Sequence, residues 1–311
     1  MEYIKISKEI FEQFAPTAVD AENDIYNALG NFFQMAYQRL TNDLLGRALG
    51  SQLPSLFDAI ERDKPETLGL LDNASWLIAP QKLDAIRENV LQYVVNAALY
   101  DAIPQLDLVL TNNGFGIVST QQIAPASAER VERLRKACAT SRDIAFDSLL
   151  ISLPANSLTK ELLWEDRAFY KQTSSLIWTL LQLNNYCGTS GTDYQRSQLD
   201  KARPSIFLAE RQIRQMISNE QFDAILKKLR EGETEPVFEG MLPILYGLFT
   251  SLYAAVTSPS NTQRCSPMEH ELLAYLDQNT YYFVEYGNSQ QYKARHFEAY
   301  RNQRKDGCFF F

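Results

Sequence analysis

Residues 81–102 read QKLDAIRENVLQYVVNAALYDA and carry the clearest helical pattern in the chain. Apolar side chains recur there at steps of three and four residues, at Leu83, Ile86, Val90, Leu91, Val94, Val95 and Ala98. This spacing places them on one face of an α-helix, as expected for a helix that packs against a core. Because Pro80 precedes the stretch and Pro104 closes it, we predict a helix between the two prolines.

The same periodicity recurs along the chain and predicts a mainly α-helical, multi-helix fold. The predicted helices lie near residues 20–45, 81–102, 128–150, 204–217, 219–230 and 240–257. Ser127 and Ser218 stand where a side-chain oxygen can cap a helix N-terminus. These signals fix both the type of element and several of its starting points.

One stretch predicts β-structure instead. Apolar and polar residues alternate over 106–110, Asn112-Asn113-Gly114 has turn chemistry, and the chain can return over 115–118. Glycine supplies the positive φ of a tight turn without steric cost. We therefore predict a single projecting β-hairpin at about 106–118.

Pro154-Ala155-Asn156-Ser157 interrupts the helical pattern and predicts a domain boundary. This gives an N-terminal helical domain with the hairpin (1–153) and a C-terminal helical domain with an aromatic tail (154–311). The sequence Phe-Asp-Ala-Ile occurs at both 57–60 and 222–225, each time ahead of a long apolar helix. A four-residue match is close to chance, so whether the halves are a true duplication stays open.

Composition limits the classes of function. The chain has 311 residues, 45% of them hydrophobic, and a formal net charge of −8, which argues against a module that binds nucleic-acid backbones. The N-terminal sequence lacks the apolar stretch of a signal peptide, and no run of eighteen apolar residues occurs. The sequence therefore predicts a protein that is made in the cytoplasm and makes no membrane contact.

We find no motif that carries chemistry. His270-Glu271 begins like a zinc-protease helix, but the second histidine is replaced by Ala274. The four cysteines lie far apart and predict free thiols. The sequence also lacks a phosphate-binding loop and a nucleophile elbow. We predict no catalytic residue, no cofactor and no metal, while a hydrolase with an unmarked carboxylate site stays the weaker alternative.

Residues 93–134 read YVVNAALYDAIPQLDLVLTNNGFGIVSTQQIAPASAERVERL. An alanine-rich helix, a proline-containing turn, an N-G-F-G-x-V hairpin and an A-P-A-S helix cap follow one another. This order resembles a family of mainly helical, virion-associated proteins from phages and prophages of anaerobic gut bacteria. The resemblance is strongest over residues 80–150 and weaker over 200–256.

The resemblance implies a structural subunit of a tailed-phage virion, most closely a head–tail connector or adaptor ring that bridges portal and tail. The implied partners are further copies of the chain, portal and tail proteins, with DNA only as passing cargo. The implied location is the virion, assembled in the host cytoplasm. The alternative is a cytoplasmic helical protein-binding module without a virion role.

Two segments are the predicted interface. The hairpin contributes Asn113, Gly114 and Phe115, because edge strands offer unpaired backbone groups to a neighbour. The tail contributes Phe309, Phe310 and Phe311, whose rings are worth roughly 2 kcal/mol each when fully buried. Whether the tail packs on its own chain or on a partner stays open.

Overall fold

The computed structural model of the chain describes residues 3–16, 23–61, 73–106, 108–111, 114–117, 127–163, 167–188, 194–258 and 266–297. The fold is mainly α-helical, as predicted. The helices are α1 Lys8–Phe14, α2 Asn23–Ala28, α3 Gly30–Leu40, α4 Gly46–Glu61, α5 Asn73–Leu106, α6 Ala128–Ala155, α7 Ser157–Leu163, α8 Arg167–Gln172, α9 Leu180–Cys187, α10 Arg196–Ile217, α11 Asn219–Glu231, α12 Pro236–Thr257, α13 Ser266–Gln278, α14 Val284–Asn288 and α15 Gln290–Arg295. A π-helical turn, Thr41–Leu45, joins α3 to α4.

The chain divides into two compact units, residues 1–203 and 204–311. In the first unit the long helices α5 and α6 pack along each other, and α3 and α1 pack on α5. The apolar positions predicted for residues 81–102 are buried there, with Leu83, Ile86 and Val90 fully inaccessible to solvent. Asn96 of α5 donates its side-chain amide to the carbonyl of Phe14 at 3.1 Å and so fastens the end of α1.

The predicted helix caps at Ser127 and Ser218 are confirmed. The Ser127 hydroxyl accepts from the Arg130 amide at 3.4 Å, and the Ser218 hydroxyl accepts from the Gln221 amide at 3.2 Å. Each hydroxyl thereby pairs one of the amide groups that a helix start leaves without an intrahelical partner.

Three helices begin before the positions that the sequence predicted, which corrects those boundaries. α5 starts at Asn73 instead of after Pro80, α10 at Arg196 instead of Pro204, and α12 at Pro236 instead of Gly240. An interior proline costs about 3 kcal/mol, because its ring removes a backbone hydrogen bond. Burial of side chains ahead of the predicted starts offsets this cost, since Leu199 in α10 and Phe238 in α12 are fully buried.

Two short strands follow α5. β1 Leu108–Thr111 pairs antiparallel with β2 Gly114–Ile117, in a register that sets Leu110 opposite Phe115 and Thr111 opposite Gly114. The two turn residues between them lie outside the described residues. That this element projects from the helices stays a prediction.

The division between the units differs from the predicted boundary at residue 154. α6 continues through Pro154 to Ala155, and α7 starts at Ser157 with only Asn156 between them. The Thr159 hydroxyl donates to the carbonyls of both Leu153 and Asn156, which pins α7 to the end of α6. Leu163 and Phe169 then join the core of the first unit, so the segment after Pro154 belongs to that unit.

The second unit is built from α11 to α15 and the part of α10 after Arg203. α12 packs on α13, and α11 packs on α14, where the Gln221 side chain accepts from the Tyr286 amide at 2.9 Å. Asp277 of α13 accepts from the Tyr286 hydroxyl at 2.8 Å and pairs with Arg295 and His296 at 3.1 Å each. This carboxylate therefore connects α13 to the final described helix.

Among the described helices, α12 is long and apolar enough by length and composition to cross a membrane. The core helix of a soluble protein passes the same test. In the second unit, Phe238, Leu245 and Phe249 of α12 are fully buried by the protein itself.

Candidate protein-interaction site

The structure covers only part of the predicted interface. Gly114 and Phe115 lie in β2, opposite Thr111 and Leu110 of β1. Asn113 and the tail residues Phe309, Phe310 and Phe311 lie outside the described residues.

The first unit contains a cluster of buried charges that the sequence did not reveal. Asp143 and Asp147 stand one turn apart on α6, and both bind Arg196 at the start of α10. Asp143 accepts the Arg196 backbone amide at 2.7 Å, whereas Asp147 forms an ion pair with the Arg196 guanidinium. The Asp147 carboxylate also accepts the backbone amide of Leu180 and thereby holds the first residue of α9.

Arg196 makes several further contacts with its guanidinium group. Its guanidinium donates to the Trp178 carbonyl and the Gln172 side-chain oxygen, each at 3.2 Å, and lies 4.4 Å from the centre of the Phe146 ring. Its side chain is only 14% exposed, so these contacts replace the water that a charged group requires. The arginine therefore connects α6, α8 and α10 with the segment that precedes α9.

Burial changes the titration of two groups in this region. Desolvation raises the pKa of Asp147 above its ordinary value, and the positive charge of Arg196 opposes that rise. Desolvation also raises the pKa of the Tyr93 phenol to about 12.

A pocket of about 470 Å³ opens beside this cluster. Five cationic side chains and three carboxylates line it: Arg39, Arg142, Lys171, Arg196 and Arg203, with Asp43, Asp143 and Asp200. Tyr93, Phe146 and Gln172 complete the lining. We call this cavity the arginine pocket.

Three large apolar side chains lie exposed around the same ion pair. Ile144 and Ile151 flank Asp147 on α6 at spacings of three and four residues and are 43% and 60% exposed. Leu181 follows the residue whose amide Asp147 binds, and it is 56% exposed. We call these three side chains the α6–α9 patch. It places three large apolar side chains at the surface around a charged pair, and exposed apolar groups of this size are common on protein-binding surfaces.

We also considered the cysteine thiols and the possible metal ligands among the described residues. Burial raises the pKa of the Cys138 thiol to about 11 and that of the Cys187 thiol to about 12, so neither forms a thiolate nucleophile at neutral pH. In the described ranges, no group of three histidine, cysteine or acidic residues could hold a metal ion.

Of the three charged residues in this cluster, Asp143 is marked in the sequence by its position on α6. It stands on the face of α6 that buries Ala139 and Phe146, and it is itself 2% exposed. A carboxylate at such a position requires a buried donor. The partner, Arg196, lies 53 residues further along the chain and gives no matching signal in the sequence.

Residues 41–166 match a family of unknown function, DUF6712. The match extends from the π-helical turn through α5, the two strands and α6 to the end of α7. It includes Asp143 and Asp147 but stops before Arg196. No curated protein matches the chain, and no solved structure does.

Proposed function

We propose that the protein is a non-enzymatic structural subunit that assembles with other proteins through the α6–α9 patch. The observation that carries this proposal is the exposure of Ile144, Ile151 and Leu181 around one buried ion pair. Asp147 of this pair also accepts the Leu180 amide and so fixes the start of α9 against α6, which holds the patch in one arrangement before binding. A preformed surface spends less conformational entropy on association than a mobile one.

Within this class, we propose a head–tail connector or adaptor ring of a tailed-phage virion. The support is the resemblance of residues 93–134, together with the helical architecture. Further copies of the chain, portal and tail proteins are the proposed partners, and the assembled virion is the proposed location. The net charge of −8 suits a ring around a DNA channel, because an acidic wall attracts no backbone phosphates.

Mass spectrometry of purified virions tests this assignment. We expect the chain in a fixed ratio to the portal protein, because a ring has a defined number of subunits. The alternative, a cytoplasmic helical binding module, predicts that the chain stays in the lysate and is absent from washed virions. That result would contradict the proposal of a connector but not the proposal that the α6–α9 patch binds other proteins.

The patch itself is tested by Ile151→Lys. We expect this variant to keep its melting temperature, because the side chain is 60% exposed and lysine is favourable near a helix C-terminus. Losing one buried isoleucine per interface should weaken self-association about 10- to 100-fold. Analytical ultracentrifugation measures the association, and calorimetry measures the stability.

Met35→Lys is the matched control, since Met35 of α3 is also exposed (53%) but lies outside the patch. Normal assembly of Ile151→Lys, or equal losses in both variants, would contradict the proposed interface.

The hairpin and the tail stay proposed as additional contacts. Phe115→Ala and removal of residues 309–311 should each reduce assembly at unchanged stability if these segments bind a neighbour. A lower melting temperature would instead assign them to packing within their own chain.

The two halves each contain the tetrapeptide Phe-Asp-Ala-Ile in a helix. Phe57 in α4 and Phe222 in α11 head the repeated tetrapeptide, both are buried, and the next helix is long in each case. We retain a degenerate duplication as a hypothesis on that basis.

A further inference from the structure

The arginine pocket contains hydrogen-bond donors that the protein itself does not use. Arg142 is only 20% exposed, its Nε donates to Asp143 at 2.8 Å, and its guanidinium lies 5.0 Å from the centre of the Tyr100 ring. Its terminal nitrogens have no hydrogen-bond partner among the residues that the structure describes. A guanidinium carries five N–H donors, so four of them are left for a ligand.

Lys171 of α8 supplies a second unused cation to the same cavity. Within the described ranges, its ammonium group makes no ion pair or hydrogen bond. Lys171 is exposed, so a ligand can reach it from solvent.

The three carboxylates that line the pocket leave the donors of Arg142 and Lys171 available to a ligand. Both oxygens of Asp143 are engaged, one by Arg142 and one by the Arg196 amide. Asp200 pairs with Arg203 at 3.0 Å. Asp43 is exposed, and water screens its repulsion of an incoming anion.

We propose that the arginine pocket is a binding site for a small oxyanion, in which Arg142 and Lys171 make the direct contacts. A fixed guanidinium fork matches the paired oxygens of a phosphoryl or carboxylate group, and the lysine adds a mobile charge. The volume of about 470 Å³ falls within the range of about 300–1,000 Å³ usual for small-molecule sites. The inference stands independently of the proposed assembly role, since it uses other residues and another ligand.

Isothermal titration calorimetry on the full chain tests the proposal, with inorganic phosphate and succinate as separate probes at constant ionic strength. We expect at least one probe to bind with a stoichiometry of one. Arg142→Gln and Lys171→Gln should each weaken its affinity about tenfold, as when one charge-assisted hydrogen bond is lost. Binding of phosphate alone would assign the site to phosphoryl groups, and binding of succinate alone would assign it to carboxylates.

The control is Arg133→Gln, which removes a charge from the exposed part of α6 at a site remote from the pocket lining. It should leave the affinity unchanged. If Arg142→Gln misfolds, Lys171→Gln still tests the proposal, because the Lys171 side chain has no packing role among the described contacts. The proposal is overturned if neither probe binds at millimolar concentration, or if Arg133→Gln weakens binding as much as the pocket variants.

Discussion

Replacing Asp147 with alanine should lower the free energy of unfolding by about 3–5 kcal/mol, because it leaves a buried charge without its partner. Arg196 is 14% exposed and would keep its positive charge in that environment. The Leu180 amide would also lose its acceptor at the start of α9. For a unit of about this size, we expect the melting temperature to fall by roughly 10 °C.

Thermal unfolding followed by circular dichroism measures the effect. Glu129→Gln is the control on the same helix, since its ion pair with Arg133 is 74% exposed on both sides and should contribute little. Adding Arg196→Met to Asp147→Ala should restore part of the loss, because the unpaired charge is then gone. If Asp147→Ala and Glu129→Gln lower the melting temperature by the same amount, the ion pair between Asp147 and Arg196 does not stabilise the first unit.

Replacing Phe169 with alanine should cost about 3–5 kcal/mol, the usual range for removing a buried phenylalanine. Phe169 of α8 is 1% exposed and belongs to the core of the first unit. α8 packs on α4 and on the π-helical turn. The variant therefore also tests where the first unit ends.

Amide hydrogen exchange distinguishes the two divisions of the chain. If residues 154–203 belong to the first unit, Phe169→Ala should speed exchange in α4 and α6, because the lost packing lowers the stability of that unit. Faster exchange confined to α11–α13 would instead support a boundary at residue 154. Phe207→Ala, at a side chain that is 47% exposed, is a control for loss of a ring without loss of core packing.

The sequence predicted the helices best where local signals agree. α6 begins at Ala128 and α11 at Asn219, each next to a serine cap that was predicted. Prediction was poorer at prolines, because the cost of an interior proline is local whereas the packing that offsets it is not. Leu199 illustrates this: it is fully buried, and the sequence around it contains no signal that predicts this burial.

The candidate site could not be predicted from the sequence, for the same reason. Arg196 meets Asp143 and Asp147 across separations of 53 and 49 residues. None of the three belongs to a motif with fixed spacing, so only the fold brings them together. The exposure of Ile151 was equally hidden, because it stands in an apolar run with Leu149, Leu150 and Leu153, and such a run predicts burial.

The pairing of α5 with α6 has a consequence for the order of folding. These helices are consecutive along the chain, and the contact of Arg135 with the Tyr100 ring closes a loop of only 35 residues, so such contacts should form early. The bond from Asn96 to Phe14 spans 82 residues and needs a larger loop to close. Changes at the α5–α6 contact should therefore slow refolding, whereas changes at Phe11 should mainly speed unfolding.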